Sequence, residues 1–224
     1  ILPLLFLVLG VIFKVMTREE KVNEILRRLY RIWPKPRTEL NYSNPFELLV
    51  AVILSAQATD KMVNLVTPEL FRKYPKVDDY ATVSVEEIDE AVRRINFHHN
   101  KAKYIQGCAK MIREKYRGKV PETMEELTKL PGVARKTANV VLGVAFGKQE
   151  GITVDTHVMR LARKLGLTDN KDREKIEKDL MQIVPRDKWI DFSHLLVLYG
   201  RYYCPARKDC RDCKEISDLC EDER

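Results

Sequence analysis

The sequence predicts an all-α fold. Apolar residues recur at intervals of three and four positions along most of the chain, which is the spacing of a buried helix face. No segment bounded by turns alternates with the period of two that is typical of strands. Only 9 Gly and 10 Pro interrupt the 224 residues, and a hydrophobic content of 45% is sufficient for a sizeable core.

The first half of the chain contains six predicted helices. Apolar residues between Thr17 and Trp33 mark one helix face, and Pro34 ends that helix. Asn44 and Pro45 are a favourable cap and first residue for a second, strongly apolar helix that runs to Leu54 and belongs at the centre of a core. The remaining four are predicted at about 60–73, 84–95, 101–116 and 123–129.

The second half continues in the same way. Four further helices are predicted at about 135–146, 156–165, 171–184 and 188–200. There is no internal repeat and no low-complexity stretch. Short loops join the helices, and we expect two lobes.

A tight turn lies between two of the predicted helices, with the sequence Leu-Pro-Gly-Val-Ala-Arg-Lys-Thr over residues 130–137. Such a turn, backed by the N-terminus of the following helix, directs backbone amides at whatever lies in front of it and is suited to a phosphate. The net charge of +7 favours a polyanionic partner without identifying it. By itself, a Pro-Gly turn is more often an ordinary helix connection.

The whole string resembles the helix-hairpin-helix of the endonuclease III family, in which Leu-Pro-Gly-Val-Gly-Arg-Lys-Thr-Ala is usual. The resemblance implies a two-lobed helix-hairpin-helix DNA glycosylase fold with a central helical, barrel-like domain and an iron–sulfur cluster domain. It also implies that Gly132, Val133, Ala134 and Arg135 contact DNA. Ala134 stands where the family often has a second glycine, and we expect it to be harmless because we place it in the first helical turn.

Lys136 lies one turn inside the helix that follows the hairpin. A lysine on a solvated helix face is usually only a charge, but the positive end of a helix disfavours an ammonium ion, and a neutral amine is a nucleophile. The resemblance implies that Lys136 attacks the sugar C1′, expels the base and forms a Schiff base, after which elimination cuts the strand.

Asp155 occurs in the string Val-Asp-Thr-His-Val at residues 154–158. It is a good N-cap for the helix that begins at Thr156. The same string resembles the catalytic aspartate motif of the family, which implies that Asp155 stabilises positive charge at the sugar and assists proton transfer.

A glycosylase must extrude its target nucleotide and fill the space that is left. The resemblance places Gln57, in Leu-Ser-Ala-Gln-Ala-Thr-Asp at residues 54–60, in the vacated stack. It makes Phe97, in the segment 95–102, the intercalating wedge. The alternatives are a simple helix-end residue for Gln57 and a buried core residue for Phe97.

Four of the five cysteines lie in the last 21 residues, at Cys204, Cys210, Cys213 and Cys220. This clustering favours a metal site over a disulfide framework, but spacing alone leaves zinc and iron–sulfur open. The resemblance implies a 4Fe-4S cluster. The family spacing of six, two and five intervening residues is here five, two and six, so the inner pair is shifted by one position.

We expect the cluster to hold Arg207, Lys208 and Arg211 against the DNA backbone. Cys108 stands apart from the other four cysteines, and we expect it to be a small buried hydrophobic residue.

The domain boundaries follow from the resemblance. Residues 38–149 are expected to form the central helical domain, and 16–37 together with 150–224 the discontinuous cluster domain. Residues 1–15 form an apolar extension that we expect not to be native; Ile1–Phe13 is too short to span a bilayer and lacks the basic start of a signal peptide.

The sequence therefore predicts a bifunctional DNA glycosylase and abasic-site lyase acting on oxidised pyrimidines. Its expected partner is double-stranded DNA with damaged bases or abasic sites, and we expect a cytoplasmic, nucleoid-associated monomer that does not bind membranes. A glycosylase of the same superfamily directed at mismatches or uracil is the alternative, although Lys136 argues against the adenine-specific and thymine-mismatch branches. A non-catalytic DNA-binding module and a zinc-stabilised interaction protein are the remaining hypotheses.

Overall fold

The structure is a computed structural model that describes residues 16–221, except for the side chain of Arg211. Within that range the chain forms α-helices and short 3-10 turns and no β-strand, which confirms the predicted all-α fold. The apolar extension at 1–15 lies outside the described residues. The helices are α1 Arg18–Ile32, α2 Pro45–Ser55, α3 Asp60–Lys73, α4 Val77–Thr82, α5 Val85–Ala91, α6 His98–Tyr116, α7 Met124–Leu127, α8 Arg135–Phe146, α9 Thr156–Lys164, α10 Arg173–Ile183 and α11 Trp189–Tyr202. The 3-10 turns are Arg186–Lys188, Cys210–Asp212 and Ser217–Leu219.

Local capping chemistry determines where many of these helices begin. The Thr17 hydroxyl accepts a hydrogen bond from the Glu20 amide at 3.1 Å, and the Glu20 carboxylate accepts one from the Thr17 amide at 2.9 Å. Ser84 and Thr123 cap α5 and α7 through the amide three residues ahead. These caps satisfy amides that the helix itself leaves without a partner.

One helix was not predicted from the sequence, and two helix boundaries differ from the prediction by more than two residues. Helix α4 is not apparent from the sequence, because its six residues are too few for an apolar period, yet they bury Tyr80 and Ala81. Helix α5 ends at Ala91 instead of continuing to 95. Helix α6 begins at His98 instead of 101, directly after Phe97, whose left-handed backbone precedes the helix.

The first of two hydrophobic clusters is formed by α2 to α8 together with Leu40. Helix α2 lies at its centre, as its composition predicted, and every residue from Leu48 to Leu54 is buried. It contacts α3, α6 and α8. A helix that is apolar on all sides is stable only when other helices surround it.

The second cluster joins the two ends of the described chain. Helix α1 packs with α10 and α11, and the loop that carries the four clustered cysteines belongs to the same core. The Tyr199 hydroxyl donates to the Lys214 carbonyl at 2.8 Å and ties this loop to α11. The chain thus enters the first cluster after α1 and returns to the second before α9.

Helix α8 lies where the two clusters meet. A Cβ on Gly143 would stand 2.9 Å from Cγ1 of Ile190, so α8 and α11 approach more closely than a larger residue would allow. The Arg135 guanidinium forms two hydrogen bonds of 3.0 Å to the buried Glu177 carboxylate on α10, which also accepts a 3.0 Å bond from Asn139. These contacts fix α8 against the second cluster. Within residues 16–221, no helix is long and apolar enough to cross a membrane.

Candidate active site

A cavity of about 110 Å³ lies between the two clusters. The structure brings Lys136 and Asp155 together in its wall, although they come from opposite sides of the boundary. Lys136 is in the first turn of α8, and Asp155 immediately precedes α9. Further polar side chains in the wall are Thr38, Ser55, Thr153, Ser193 and His194.

Asp155 is the N-cap of α9, as the sequence predicted. Its Oδ1 accepts hydrogen bonds from the amides of His157 and Val158, both at 2.9 Å. Among the described residues these bonds reach Oδ1 only, so the second oxygen remains for the cavity. One carboxylate therefore begins a helix and lines the cavity.

The hairpin before α8 depends on Gly132. Its φ of +72° lies in the left-handed region, and a Cβ would stand 2.5 Å from the Tyr104 ring on α6. Two independent reasons, backbone conformation and close approach, thus require glycine. The neighbouring Leu130 and Val133 are buried and anchor the turn in the first cluster.

Ala134 is the N-cap of α8 and lies one residue before the first turn in which we expected it. Its φ of −86° and ψ of 170° are extended backbone that any residue adopts, so alanine is unstrained as expected. Because alanine has no side chain to cap the helix, the first amides of α8 have no side-chain acceptor from this residue. An uncapped N-terminus of this kind is suited to an anion.

The side chain of Arg135 is paired with Glu177 and remains about half exposed, at 47%. Its bidentate pair with Glu177 raises the pKa of the guanidinium through hydrogen bonding and charge attraction. The exposed part of the guanidinium and the backbone amide at the start of α8 both remain available for the predicted contact with DNA.

Gln57 and Phe97 lie at two neighbouring turns. Gln57 has φ 55° and Phe97 has φ 57°, and both are non-glycine residues in the left-handed region. Asn96 Nδ2 donates to the Gln57 carbonyl at 3.1 Å, which joins the two turns directly. The Phe97 side chain is 61% exposed, which excludes the alternative of a buried core residue.

The four clustered cysteines pack into the second cluster, three of them buried and Cys220 partly so. Cys210 and Cys220 form a disulfide, which the sequence did not lead us to expect, with their Cα atoms 6.4 Å apart. The Cys204 and Cys213 thiols are free and hydrogen-bonded to each other. Arg160 donates to the Cys204 carbonyl at 2.5 Å and to the Cys204 sulfur at 3.6 Å. The four cysteines thus form two pairs within one hydrophobic cluster.

The basic residues of the cysteine loop are only partly described. Arg207 and Lys208 are exposed, which agrees with the expected contact with a DNA backbone. The side chain of Arg211 lies outside the described part of the chain.

Two residues of the cavity wall are not apparent from the sequence. Burial lowers the pKa of His194, whose Nδ1 has no hydrogen-bond partner among the described residues. Arg201 forms ion pairs with Glu39 and, at 2.7 Å, with Asp60, and so connects α11 to the chain around α2 and α3. The string Tyr-Gly-Arg-Tyr-Tyr at 199–203 directly precedes the cysteine motif in the sequence. The sequence therefore gives no sign that Arg201 lines the cavity.

Cys108 behaves as expected. It is buried on α6, and burial raises the pKa of its thiol to about 12. Such a thiol is a poor nucleophile at neutral pH.

Comparison with protein families and with curated proteins identifies relatives of this chain. Residues 50–186 match the HhH-GPD superfamily of base excision DNA repair proteins. The chain is 48% identical to the endonuclease III of Synechocystis sp., over 92% of this chain and 94% of that protein. It is 45% identical to the endonuclease III of Escherichia coli K12, over 88% and 93%.

Solved structures of similar proteins have the same fold as this chain. A trapped covalent intermediate of an endonuclease III with DNA superposes with a TM-score of 0.84 at 43% identity, covering 92% of this chain and 96% of that one. A thermostable thymine-DNA glycosylase superposes with a TM-score of 0.79 at 24% identity, covering 90% and 95%, and shows the same fold.

Two glycine substitutions separate backbone strain from close packing. Gly147, with φ +65°, would have no atom within 4 Å of an added Cβ, whereas a Cβ at Gly132 would meet the Tyr104 ring. We expect Gly147→Ala to lower the free energy of unfolding by about 1 kcal/mol, from backbone strain alone. Gly132→Ala should cost about 2–4 kcal/mol, because overpacking adds to the strain.

Urea unfolding measures both values, and fluorescence anisotropy with duplex DNA measures affinity. Only Gly132→Ala should weaken DNA binding. Equal losses of stability for the two variants would show that the Tyr104 contact is unimportant.

Proposed function

The chain belongs to the HhH-GPD superfamily of base excision DNA repair proteins and, within it, to the endonuclease III family. From that premise we propose that this DNA glycosylase and abasic-site lyase removes damaged pyrimidines from duplex DNA, with Lys136 as the nucleophile. The observation that carries the proposal is the convergence of Lys136 and Asp155 on one cavity.

The reaction is a substitution followed by an elimination. The neutral Lys136 amine attacks C1′, the Nζ–C1′ bond forms, and the bond to the base breaks with its electron pair leaving on the base, which takes up a proton. Loss of the amine proton with opening of the sugar ring gives a Schiff base. Loss of a C2′ proton then expels the 3′-phosphate and cuts the strand. The similar endonuclease III that was trapped as a covalent intermediate with DNA supports this route.

Asp155 is proposed to act on the same sugar. Its carboxylate, oriented by the two amides of α9, would stabilise the positive charge that develops at C1′ and assist the proton transfers. The cavity is proposed to receive one extruded base, because a glycosylase must take its target nucleotide out of the helix before it reacts.

DNA binding is proposed to use three surfaces. The hairpin Gly132–Arg135 would bind a phosphate through its amides, because the N-terminus of α8 has no side-chain cap. Exposed Arg207 and Lys208 would bind the backbone without reading sequence. Gln57 and Phe97 would enter the duplex and occupy the space that the extruded nucleotide leaves.

We propose that Cys204, Cys210, Cys213 and Cys220 would hold a 4Fe-4S cluster once the Cys210–Cys220 disulfide is reduced to two thiolates by a cellular thiol. All four side chains pack into one core, and the free thiols of Cys204 and Cys213 are within hydrogen-bonding reach of each other, which supports a shared site. When bound, a cluster would hold the C-terminal loop and its basic residues in a fixed shape. We further propose that the two hydrophobic clusters correspond to two domains, and that the enzyme acts as a monomer on chromosomal DNA in the cytoplasm.

Replacing the nucleophile tests the chemistry. Lys136→Gln should abolish borohydride trapping on duplexes with thymine glycol or an abasic site, because no amine remains to form the Schiff base. Lys119→Gln, an exposed lysine away from the cavity, is the matched control and should trap like the parent enzyme. Duplexes with uracil or a mismatch rank the alternative substrates. Trapping that persists in Lys136→Gln would refute the assignment.

The Asp155→Asn variant separates the effect of the negative charge of this residue from its effect as a helix cap. Asparagine is as good an N-cap as aspartate, so α9 should keep its stability and the thermal midpoint should change little. Loss of the negative charge should slow base release by about 100-fold in single-turnover assays, while DNA affinity is kept. An unchanged rate would exclude Asp155 from the reaction.

Metal analysis tests the cysteine loop. Protein purified without oxygen should contain iron and sulfide and show broad visible absorption, and Cys213→Ser should lose both together with DNA affinity. Cys108→Ser, at a buried cysteine outside the loop, is the control and should keep its iron. Stoichiometric zinc, or a Cys210–Cys220 disulfide without iron, would contradict the proposal.

A further inference from the structure

The two turns that carry Gln57 and Phe97 are held in a costly conformation. Both residues have positive φ, at 55° and 57°, and a left-handed backbone costs a residue with a side chain about 1–2 kcal/mol. Such a conformation persists only where surrounding contacts determine it. Specific contacts must therefore hold these two residues in place.

Lys101 provides several of these contacts. Its Nζ donates to the Leu54 carbonyl at 2.9 Å and to the Ala56 carbonyl at 2.5 Å, directly before Gln57. Its backbone amide donates to the Phe97 carbonyl at 3.2 Å and begins the hydrogen bonding of α6. One residue thus bonds to both turns.

The environment of Lys101 is unusual for a lysine. The residue is 4% exposed, and among the described residues no carboxylate forms an ion pair with it. Burial lowers the pKa of its ammonium group. The carbonyls at the end of α2, where the helix dipole is negative, are its compensation. A cation buried at this cost beneath two surface turns indicates a specific role.

Two further contacts surround the same segment. Asn96 donates to the Gln57 carbonyl, so the Gln57 turn is tied to the Phe97 turn from a second side. Asp89 of α5 lies 2.5 Å from His98 Nδ1 and 2.5 Å from His99 Nδ1. The start of α6 is therefore fixed against α5 as well as against α2.

We propose that Lys101 is a positioning residue that joins the Gln57 turn and the Phe97 turn into one rigid element, so that both side chains enter the duplex in a single step of nucleotide extrusion. The inference rests on the proposed function. It adds that the two turns act together and names the residue that couples them.

The test compares substrates that do and do not require extrusion. Lys101→Met keeps the length of the side chain and removes its charge and donors. Lys103→Met, the same substitution at an exposed site on the same helix, is the matched control. Each variant is assayed under single-turnover conditions on a damaged duplex and on a single-stranded oligonucleotide with an abasic site.

Lys101→Met should lose activity on the duplex by about 10-fold or more, which is the scale of lost hydrogen bonds to a charged group. Its cleavage of the single-stranded abasic site should stay within about two-fold of the parent, because the chemistry at Lys136 does not involve the coupled turns. The fluorescence rise of 2-aminopurine placed opposite the lesion, which reports unstacking, should also be lost. Lys103→Met should match the parent in all three assays.

A double-mutant cycle tests the coupling directly. In the parent enzyme, Gln57→Ala and Phe97→Ala together should lose less duplex activity than the product of the two single losses. In a Lys101→Met background the losses should multiply. Asn96→Ala, at an exposed residue, should reproduce the duplex-selective defect more weakly and keeps the test decisive if Lys101→Met does not fold.

The outcomes distinguish this inference from the proposed function. Equal losses on duplex and single strand, or independent effects of Gln57 and Phe97 in the parent, would overturn the coupling. Absence of trapping on abasic DNA by the parent enzyme would overturn the proposed function instead.

Discussion

The bond between Arg135 and Glu177 is the constraint on which the site depends. Lys136 belongs to the helix that packs in the first hydrophobic cluster and Asp155 to the second cluster, so the two meet only if α8 keeps a fixed orientation against α10. Asn139 adds a third bond to the same carboxylate, one turn further along α8. A buried carboxylate with three donors is well compensated, and removing any of them would weaken that compensation. Arg135, the residue next to the proposed nucleophile in sequence, therefore holds the two halves of the cavity together.

The N-termini of α8 and α9 lie on opposite sides of the boundary between the two hydrophobic clusters, and they are capped in contrasting ways. At α9 the cap is Asp155, whose carboxylate satisfies two amides and also reaches the cavity. At α8 the cap is Ala134, which satisfies none, so the amides of the first turn remain free of a side-chain acceptor from the cap. In the proposed mechanism, the N-terminus of α9 thus supplies a fixed negative charge for the sugar. The N-terminus of α8 supplies donors for a phosphate.

Local features were predictable from the sequence because their causes are local. The caps at Thr17, Ser84 and Asp155, and the buried α2, follow from residues a few positions apart. The ion-pair partner of Arg135 was not predictable, because Glu177 lies 42 positions away along the chain. The burial of Lys101 could have been predicted from the sequence, since it shares one helix face with Ile105, Cys108 and Ile112, which are all buried. A lysine on an apolar face requires a buried acceptor, and only the fold shows that the acceptors precede Gln57.

In the proposed mechanism, the strain at Gln57 and Phe97 contributes to nucleotide extrusion. Extruding a nucleotide costs stacking and pairing energy, and any disorder in the inserted side chains would add to that cost at the moment of binding. Here the ordering is completed during folding, because the first cluster and the bonds from Asn96 and Lys101 hold both turns before DNA arrives. The stability of the core then offsets the free-energy cost of the left-handed backbone. This cost therefore does not reduce the free energy of DNA binding. With the two turns held rigid, the proposed extrusion requires the duplex to move, and a damaged nucleotide, which stacks more weakly than a normal one, is the part that moves most easily.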